Sequence, residues 1–299
     1  MSAPILVIGS SNTDMVIKTS RLPAPGETII GGTFLMNPGG KGANQAVAAA
    51  RLGGQVTFVT KVGTDVFGQQ AIGGFHQEGI DTRFILQDPE HPSGVALITV
   101  DTQGENAITV ASGANAHLEP ADLESALDQI DPASLVLTQL ETPIATVAYV
   151  ARRVSERGGR VILNPAPAQI LPDELLASLF VISPNETEAE QLTGIPVTDE
   201  ASARLAATRL HERGVQTVII TLGAKGALLS EPGHTQLIAA QPVKAVDTTA
   251  AGDCFNGALT VAIAEGQPLA EAVGFACQAA SISVTRMGAQ ASMPKRSEL

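Results

Sequence analysis

The sequence predicts an α/β fold: a mostly parallel sheet covered by helices on both faces, with a small separate sheet beside it. Three observations predict this. Along most of the chain a short apolar run is followed by a longer stretch of helical periodicity, the pattern of strand–helix–strand crossovers. Twice, around residues 14–36 and 94–111, two strand-like runs follow one another with no helix between them, so they pair as antiparallel hairpins outside the main plan. Polar residues then recur where predicted strands end, and open α/β sheets meet their ligands at that edge.

Residues 4–9 form a short buried strand ending in Gly9, Ser10 and Ser11, which puts Asn12 and Asp14 where a polar ligand arrives. On position alone Asp14 fits a turn equally well. Residues 14–18 and 28–36 read as paired strands, with Pro23, Pro25 and Gly26 turning the chain between them. The stretch Asn37-Pro38-Gly39-Gly40-Lys41-Gly42-Ala43-Asn44-Gln45 then leads into an Ala-rich helix over 46–52, stopped by Gly53 and Gly54. Its glycines let backbone approach a ligand, while Lys41 and Asn44 supply a charge and an amide. It is not a P-loop, because the upstream spacing and the following Ser or Thr are missing.

Strand 55–62, helix 65–78, strand 82–86 and the hairpin 94–100 with 105–111 come next. Regular alternation follows: helix 118–130, strand 134–140, helix 144–156, strand 160–163 and helix 171–179. Strand 180–183, a helical 189–192, helix 199–212 capped by Asp199, and strand 217–222 continue it. Short strands 227–230 and 236–239 precede the last two helices, which begin near Cys254 and Leu269. The two hairpins should fall together as one small sheet. Asn12, Asp14, Glu141, Asn164, Asn185, Glu188, Thr221 and Asp253 each follow or end a predicted strand, so they collect at one edge.

Composition narrows the function. A formal charge of −12 argues against nucleic-acid or anionic-membrane binding, which needs a basic face. Aromatics are 3% of residues and Trp is absent, so the core must be aliphatic. Cys254 and Cys277 sit in apolar helical patterns and read as small buried hydrophobes, with no metal-ligand spacing. The apolar run near the N-terminus is too short for a signal peptide and lacks a basic flank, and no run has the ~20 apolar residues of a membrane helix. The expected location is the cytoplasm.

The stretch from Val246 to Ala258 is the most informative. Thr248 and Thr249 can cap the following helix, and Ala250, Ala251 and Gly252 leave its start open to a ligand. Unpaired N–H groups at a helix start suit a phosphate. Asp253 is the odd member, because a phosphate repels a carboxylate. It reads either as a general base for a hydroxyl attacking a phosphoryl group or as a first-turn Asp favoured by the helix dipole.

Gly39-Gly40-Lys41-Gly42-Ala43-Asn44 and Asp247-Thr248-Thr249-Ala250-Ala251-Gly252-Asp253 resemble the signatures of the ribokinase (PfkB-type) sugar-kinase family. The resemblance covers nearly the whole chain. It includes Asn12-Thr13-Asp14, Asn185-x-x-Glu188, the turn Thr221-Leu222-Gly223-x-x-Gly226 and the ending Thr285-Arg286-Met287-Gly288-Ala289-Gln290. Pro165-Ala166-Pro167 and Asn185 through Glu190 match the ribose-specific subgroup.

The resemblance implies a ribokinase-like three-layer sandwich, one domain over residues 1–299, with lid inserts at about 14–38 and 93–112. It implies ATP-dependent phosphorylation of D-ribose at O5, with Asp253 as base and the backbone of Ala250, Ala251, Gly252 and Asp253 as anion hole. Asn12, Thr13, Asp14, Gly40, Lys41, Gly42, Ala43, Asn44, Glu141 and Asp253 would form the sugar pocket, with Asp14 accepting from two neighbouring hydroxyls. Lys41 would also neutralise phosphate. Asn185, Glu188, Thr221, Leu222, Gly223, Ala224, Lys225, Gly226, Gly252, Asp253 and Cys277 would serve the nucleotide, Glu188 acting on Mg²⁺ mainly through water. A monovalent cation, K⁺, would be held by Asp247, Thr249, Ser283, Arg286, Gly288 and Ser292.

Relatives often carry a further helix after the point where this chain stops; no named site residue lies beyond Leu299. Strand edges in the lid lead to an expected homodimer. The alternatives are a kinase for fructose, 2-keto-3-deoxygluconate or adenosine, and a sugar sensor that kept the fold without catalysis.

Overall fold

A computed structural model describes residues 2–129 and 133–299. The chain opens with β1 (Ile5–Ile8), β2 (Asn12–Lys18), β3 (Thr33–Gly39) and α1 (Lys41–Arg51). β4 (Val56–Gly63), α2 (Val66–Gln77), β5 (Ile85–Asp88), β6 (Gly94–Val100) and β7 (Asn106–Ala111) follow. Next come α3 (Pro120–Leu127), β8 (Leu135–Thr138), α4 (Ile144–Glu156), β9 (Arg160–Leu163), α5 (Asp173–Ala177) and β10 (Val181–Ile182). The last third holds α6 (Glu186–Thr193), α7 (Glu200–Glu212), β11 (Thr217–Thr221), β12 (Ala227–Glu231), β13 (His234–Ile238), α8 (Ala251–Ala264) and α9 (Leu269–Ser283).

Among the described residues, nine strands form the main sheet in the order β13-β12-β11-β10-β9-β8-β1-β4-β5. Its pairs are parallel except β11–β12 and β12–β13, which are antiparallel. All four residues of central β1 are buried, as in a strand covered on both faces. Successive side chains of a strand point to opposite faces, and the core divides on that rule. Ile5 and Val7 join a cluster with residues of α1, α2, α8 and α9. Leu6 and Ile8 join a second cluster built largely by α3, α4, α5, α6 and α7. Helix layer, sheet and helix layer make the expected α/β three-layer sandwich.

The remaining strands form the small sheet, ordered β3-β2-β6-β7. Both expected hairpins are antiparallel pairs, and a parallel pairing of β2 with β6 joins them. The first hairpin's return strand is Thr33–Gly39 rather than 28–36. Gly31 and Gly32 hold φ of 108° and 112°, outside the extended region, so pairing begins only after them. The helix expected over 118–130 spans Pro120–Leu127, and its expected end at Ile130 lies outside the described residues.

Small residues set the approach of α1 to its neighbours. A Cβ on Gly257 in α8 would lie 2.7 Å from Ala48 Cβ and 2.8 Å from the Gln45 carbonyl oxygen. A Cβ on Gly42 would lie 2.6 Å from the Gly9 carbonyl carbon and the Ser10 nitrogen. Only glycine fits at either point, and the start of α1 is thereby held against both the end of β1 and the first turns of α8.

Candidate active site

α8 starts on a left-handed residue. Ala250 is its N-cap, with φ 57° and ψ 18°, and no side chain caps the helix. The expected capping by Thr248 or Thr249 is therefore not found. Thr249 instead donates through its N–H and its hydroxyl to Asp247 Oδ1, at 2.9 and 2.6 Å. The Ala251 N–H reaches the Thr248 carbonyl at 3.2 Å. Gly252 and Asp253 follow in the first turn, where backbone N–H groups have no intrahelical acceptor and the dipole favours an anion.

Asp253 is buried beneath that turn. Asn44 Nδ2 donates to its Oδ2 and Gln45 Nε2 donates to its Oδ1, both at 2.9 Å. Burial raises its pKa above the ordinary carboxylate value, while nearby Lys41 and the two amides oppose the rise. Asn44 Oδ1 is buried with no partner. An acceptor left open beside a carboxylate suits a ligand hydroxyl, which can donate.

Several charged groups influence one another here. Asp14 is pushed up to about 6, first by burial and then by Glu141 and Asp253, with Lys41 opposing. For Lys41, burial works downward, but Asp253, Glu141, Glu188 and Asp14 hold it above the usual lysine value. Glu141 is fixed by Ser10 Oγ at 2.5 Å and by the Lys41 backbone N–H at 2.9 Å, at the positive end of α1. Asn12 accepts from Asn115 Nδ2 at 2.8 Å. Gly40 holds φ 87°, and a Cβ there would sit 2.7 Å from the Asn12 nitrogen. Gly42 and Ala43 are buried supports behind these groups. Thr13 lies on the opposite face of β2 from Asn12 and Asp14 and lines a separate cavity of about 400 Å³ with Phe67 and Phe75. Asn12 lines that cavity too, so the two neighbours stay together there, while Asp14 does not line it.

Two further cavities meet at the start of α8. One, of about 180 Å³, is lined by Lys41, Asn164, Asn185, Glu188, Gly252 and Asp253 among others. The other, of about 600 Å³, runs past Gly223, Ala224 and Gly226 to Phe255, Cys277 and Val284. Asn185, Thr221, Thr248, Ala251 and Gly252 line both. A backbone bridge between Asn185 and Thr221 brings two of these residues together. Leu222 is buried, and Lys225 reaches the Thr198 carbonyl at 3.3 Å; neither lines the cavity. Burial pushes the Cys277 thiol up to about 11, so it stays protonated and apolar at neutral pH.

Glu188 is neither simply solvated nor simply a ligand. It closes a capping box: Asn185 Oδ1 accepts from its N–H at 2.8 Å, and its Oε2 accepts from the Asn185 N–H at 2.9 Å. The residue also lines the smaller cavity. Among the described residues no group of three or more His, Cys, Asp and Glu is placed to hold a metal. The expected cation loops are nonetheless neighbours: Asp247 Oδ2 accepts from the Gly288 N–H at 2.8 Å, and the Val246 N–H meets the Val284 carbonyl at 2.7 Å.

Gln139 was not among the expected site residues, and Gln45 was noted only within the glycine-rich stretch. Gln139 Nε2 donates to Gln45 Oε1 at 2.6 Å, behind Asp253. A glutamine inside the apolar run 134–140 is the one signal the sequence offered, since a buried amide needs partners.

A polar pocket beside the small sheet, a buried carboxylate at a helix N-terminus, and a long cleft leading away from it make the arrangement of a small-molecule kinase. Comparison with known proteins agrees. The profile of the pfkB family carbohydrate kinases matches residues 2–296, and the chain belongs to that family. It is 48% identical over 298 residues to the Haemophilus influenzae ribokinase, covering 100% of this chain and 97% of the relative. The Salmonella typhimurium deoxyribokinase is 39% identical over 293 residues, 97% of this chain and 95% of its own. The Arabidopsis thaliana ribokinase, solved in complex with ribose and ATP, superposes with a TM-score of 0.91 at 35% identity, covering 99% of this chain and 97% of its own.

Proposed function

We propose that this protein transfers the γ-phosphoryl group of ATP to O5 of D-ribose, giving D-ribose 5-phosphate and ADP. One observation carries the mechanism: a buried carboxylate, Asp253, held by an amide on each oxygen at the start of α8. The O5 proton passes to Asp253 as O5 bonds to phosphorus, and the bond from phosphorus to the bridging oxygen of ADP breaks. N–H groups of the first turn of α8, with Lys41, stabilise the charge on the transferring group. Asp14 accepts two sugar hydroxyls, and Asn12, Gly40, Asn44 and Glu141 complete the pocket. The larger cavity takes the adenosine part. Its apolar end at Cys277 and Val284 suits the base, and its Gly223–Gly226 turn suits the ribose and phosphates.

Glu188 Oε1 suits Mg²⁺, which keeps several waters and shares phosphate oxygens, so a site with one carboxylate fits it. Bound there, Mg²⁺ would neutralise phosphate charge. Asp247, Thr249, Ser283, Arg286, Gly288 and Ser292 would supply oxygens from the segment before α8 and from the end of α9 onward, which the Asp247–Gly288 bond ties together, and this suits K⁺. Bound there, K⁺ would set the field on the loop preceding Ala250. We take residues 1–299 as one domain with lids at about 14–38 and 93–112, working in the cytoplasm. Among the described residues no helix is long and apolar enough to cross a membrane.

The test is coupled ADP release with ATP, Mg²⁺ and K⁺ on D-ribose, 2-deoxyribose, fructose, 2-keto-3-deoxygluconate and adenosine. D-Ribose should give the highest kcat/KM, and replacing K⁺ with Na⁺ should lower the rate. Preference for 2-deoxyribose, the direction the Salmonella relative points to, would overturn the substrate and leave the kinase. ADP release indifferent to every acceptor would sink the reading.

The lid also carries an assembly expectation. Ile17, Phe34, Met36 and Leu97 lie exposed on one face of the small sheet, in register across three strands. Such a face calls for cover. We propose that a second copy of the chain provides it. Light scattering should return twice the 30.7 kDa chain mass, and a monomer at working concentration would refute the dimer.

A further inference from the structure

We infer that Gln45 is a positioning residue for phosphoryl transfer: locked by Gln139 and Asn164, its amide fixes Oδ1 of Asp253 and so sets the plane of the carboxylate that meets the acceptor hydroxyl. This rests on the proposed role of Asp253. The geometry leaves Gln45 no freedom. Its Oε1 accepts from Gln139 Nε2 at 2.6 Å. Its Nε2 donates twice, to Asn164 Oδ1 at 3.0 Å and to Asp253 Oδ1 at 2.9 Å, which uses both amide hydrogens. Asn164 is itself oriented, because its Nδ2 donates to the Ser183 carbonyl at 3.2 Å and so turns Oδ1 toward Gln45. Flipping the Gln45 amide would set Oε1 against two acceptors and Nε2 against a donor. Gln45, Gln139 and Asn164 are all buried, where a mismatched amide is costly.

The consequence falls on Asp253. A carboxylate with one oxygen held by a fixed donor cannot rotate freely about its last bond. Asn44 holds Oδ2 in turn, and the carboxylate so oriented belongs to a side chain lining the cavity shared with Lys41 and Gly252. Phosphoryl transfer depends on such alignment, and a displacement of about 1 Å can cost ~100-fold. Gln139 touches neither substrate nor Asp253, and on this reading acts only through Gln45.

The experiment compares Gln45→Met, Gln139→Met and the double variant, each close in volume to the original and without an amide. Gln45→Met should lower kcat ~10–100-fold while the sugar dissociation constant, read by calorimetry, stays within about threefold. The acid limb of its kcat profile should move to higher pH, because Asp253 loses a donor that favours its charged form. Gln139→Met should fall in the same direction by a smaller factor. The double variant should be no worse than Gln45→Met alone, since Gln139 works through Gln45. An unmoved acid limb, multiplicative losses in the double variant, or sugar binding lost in step with kcat would overturn the inference. If Gln45→Met fails to fold, an unmoved limb in Gln139→Met overturns it by itself. The wild type keeps the two readings apart. If it prefers another sugar, the same comparison runs on that sugar and judges Gln45 alone. If no acceptor is phosphorylated, the proposed function and this inference both fall.

Discussion

Asp253→Asn should reduce kcat by ~10²–10⁴-fold, the usual contribution of a positioned base, while ribose binding stays within a few-fold. The substitution keeps the shape of the side chain but removes the proposed acceptor of the O5 proton. It also puts an amide among amides: its NH₂ would meet a fixed donor at Gln45 Nε2, whereas toward Asn44 a flip of that amide offers its unpartnered Oδ1. Rapid-quench measurement of phosphoryl transfer, with calorimetry for ribose, separates the two effects. Turnover within about tenfold of wild type would mean a barrier change of only ~1.4 kcal/mol and would remove Asp253 from the role of base. The wild-type profile gives an independent check. With its pKa raised by burial, Asp253 must lose its proton to act, so kcat should fall as pH drops through that raised value.

Asp14→Asn should weaken ribose binding by ~10²–10⁴-fold, two hydrogen bonds to a charged group at about 1.5–3 kcal/mol each. The same variant should be more stable than wild type at pH 7.5. Burial and the Glu141 and Asp253 charges push Asp14 up to about 6 from 3.8, so the folded state favours its protonated form. A group raised in this way contributes stability that is fully present below its unfolded pKa of 3.8 and lost as pH rises through about 6. Removing the charge should therefore raise Tm by about 2 °C at pH 7.5, with the gap closing as pH approaches 4. Wild-type ribose affinity should weaken below pH 6, and the variant should lack that dependence. Equal Tm values at pH 7.5 and 4, or a ribose affinity in the variant within threefold of wild type, would contradict the assignment.

Much of this was legible because local rules carry it. Strand 5–8 is apolar at every position and is buried on both faces. Asp199 caps α7 as its place before an amphipathic run indicated, accepting from the Ser202 N–H at 2.8 Å. Other features yielded to competing forces. Thr248 and Thr249 have the chemistry of caps, yet Asp247 takes both hydrogens of Thr249, and Ala250 turns into the helix with a positive φ instead. The first hairpin's second strand begins later than its apolar run suggests, because pairing waits for the chain to clear Gly31 and Gly32. Thr13 shares a motif with Asn12 and Asp14, but a strand alternates its side chains and sends it to the other face.

By itself the sequence determined the alternation of strands and helices, the two hairpins, and the chemical types gathered at the strand ends. Those depend on periodicity and on residues near one another in the chain. Only the tertiary structure decided what holds Asp253. Gln45 and Asn44 lie 208 and 209 positions away from it, and they meet it because Gly257 lets α8 settle against α1. Gln139 and Asn164 complete the clamp from the ends of two further strands. No local pattern encodes such a meeting, since hydrogen-bond partners this remote are set by how whole helices pack.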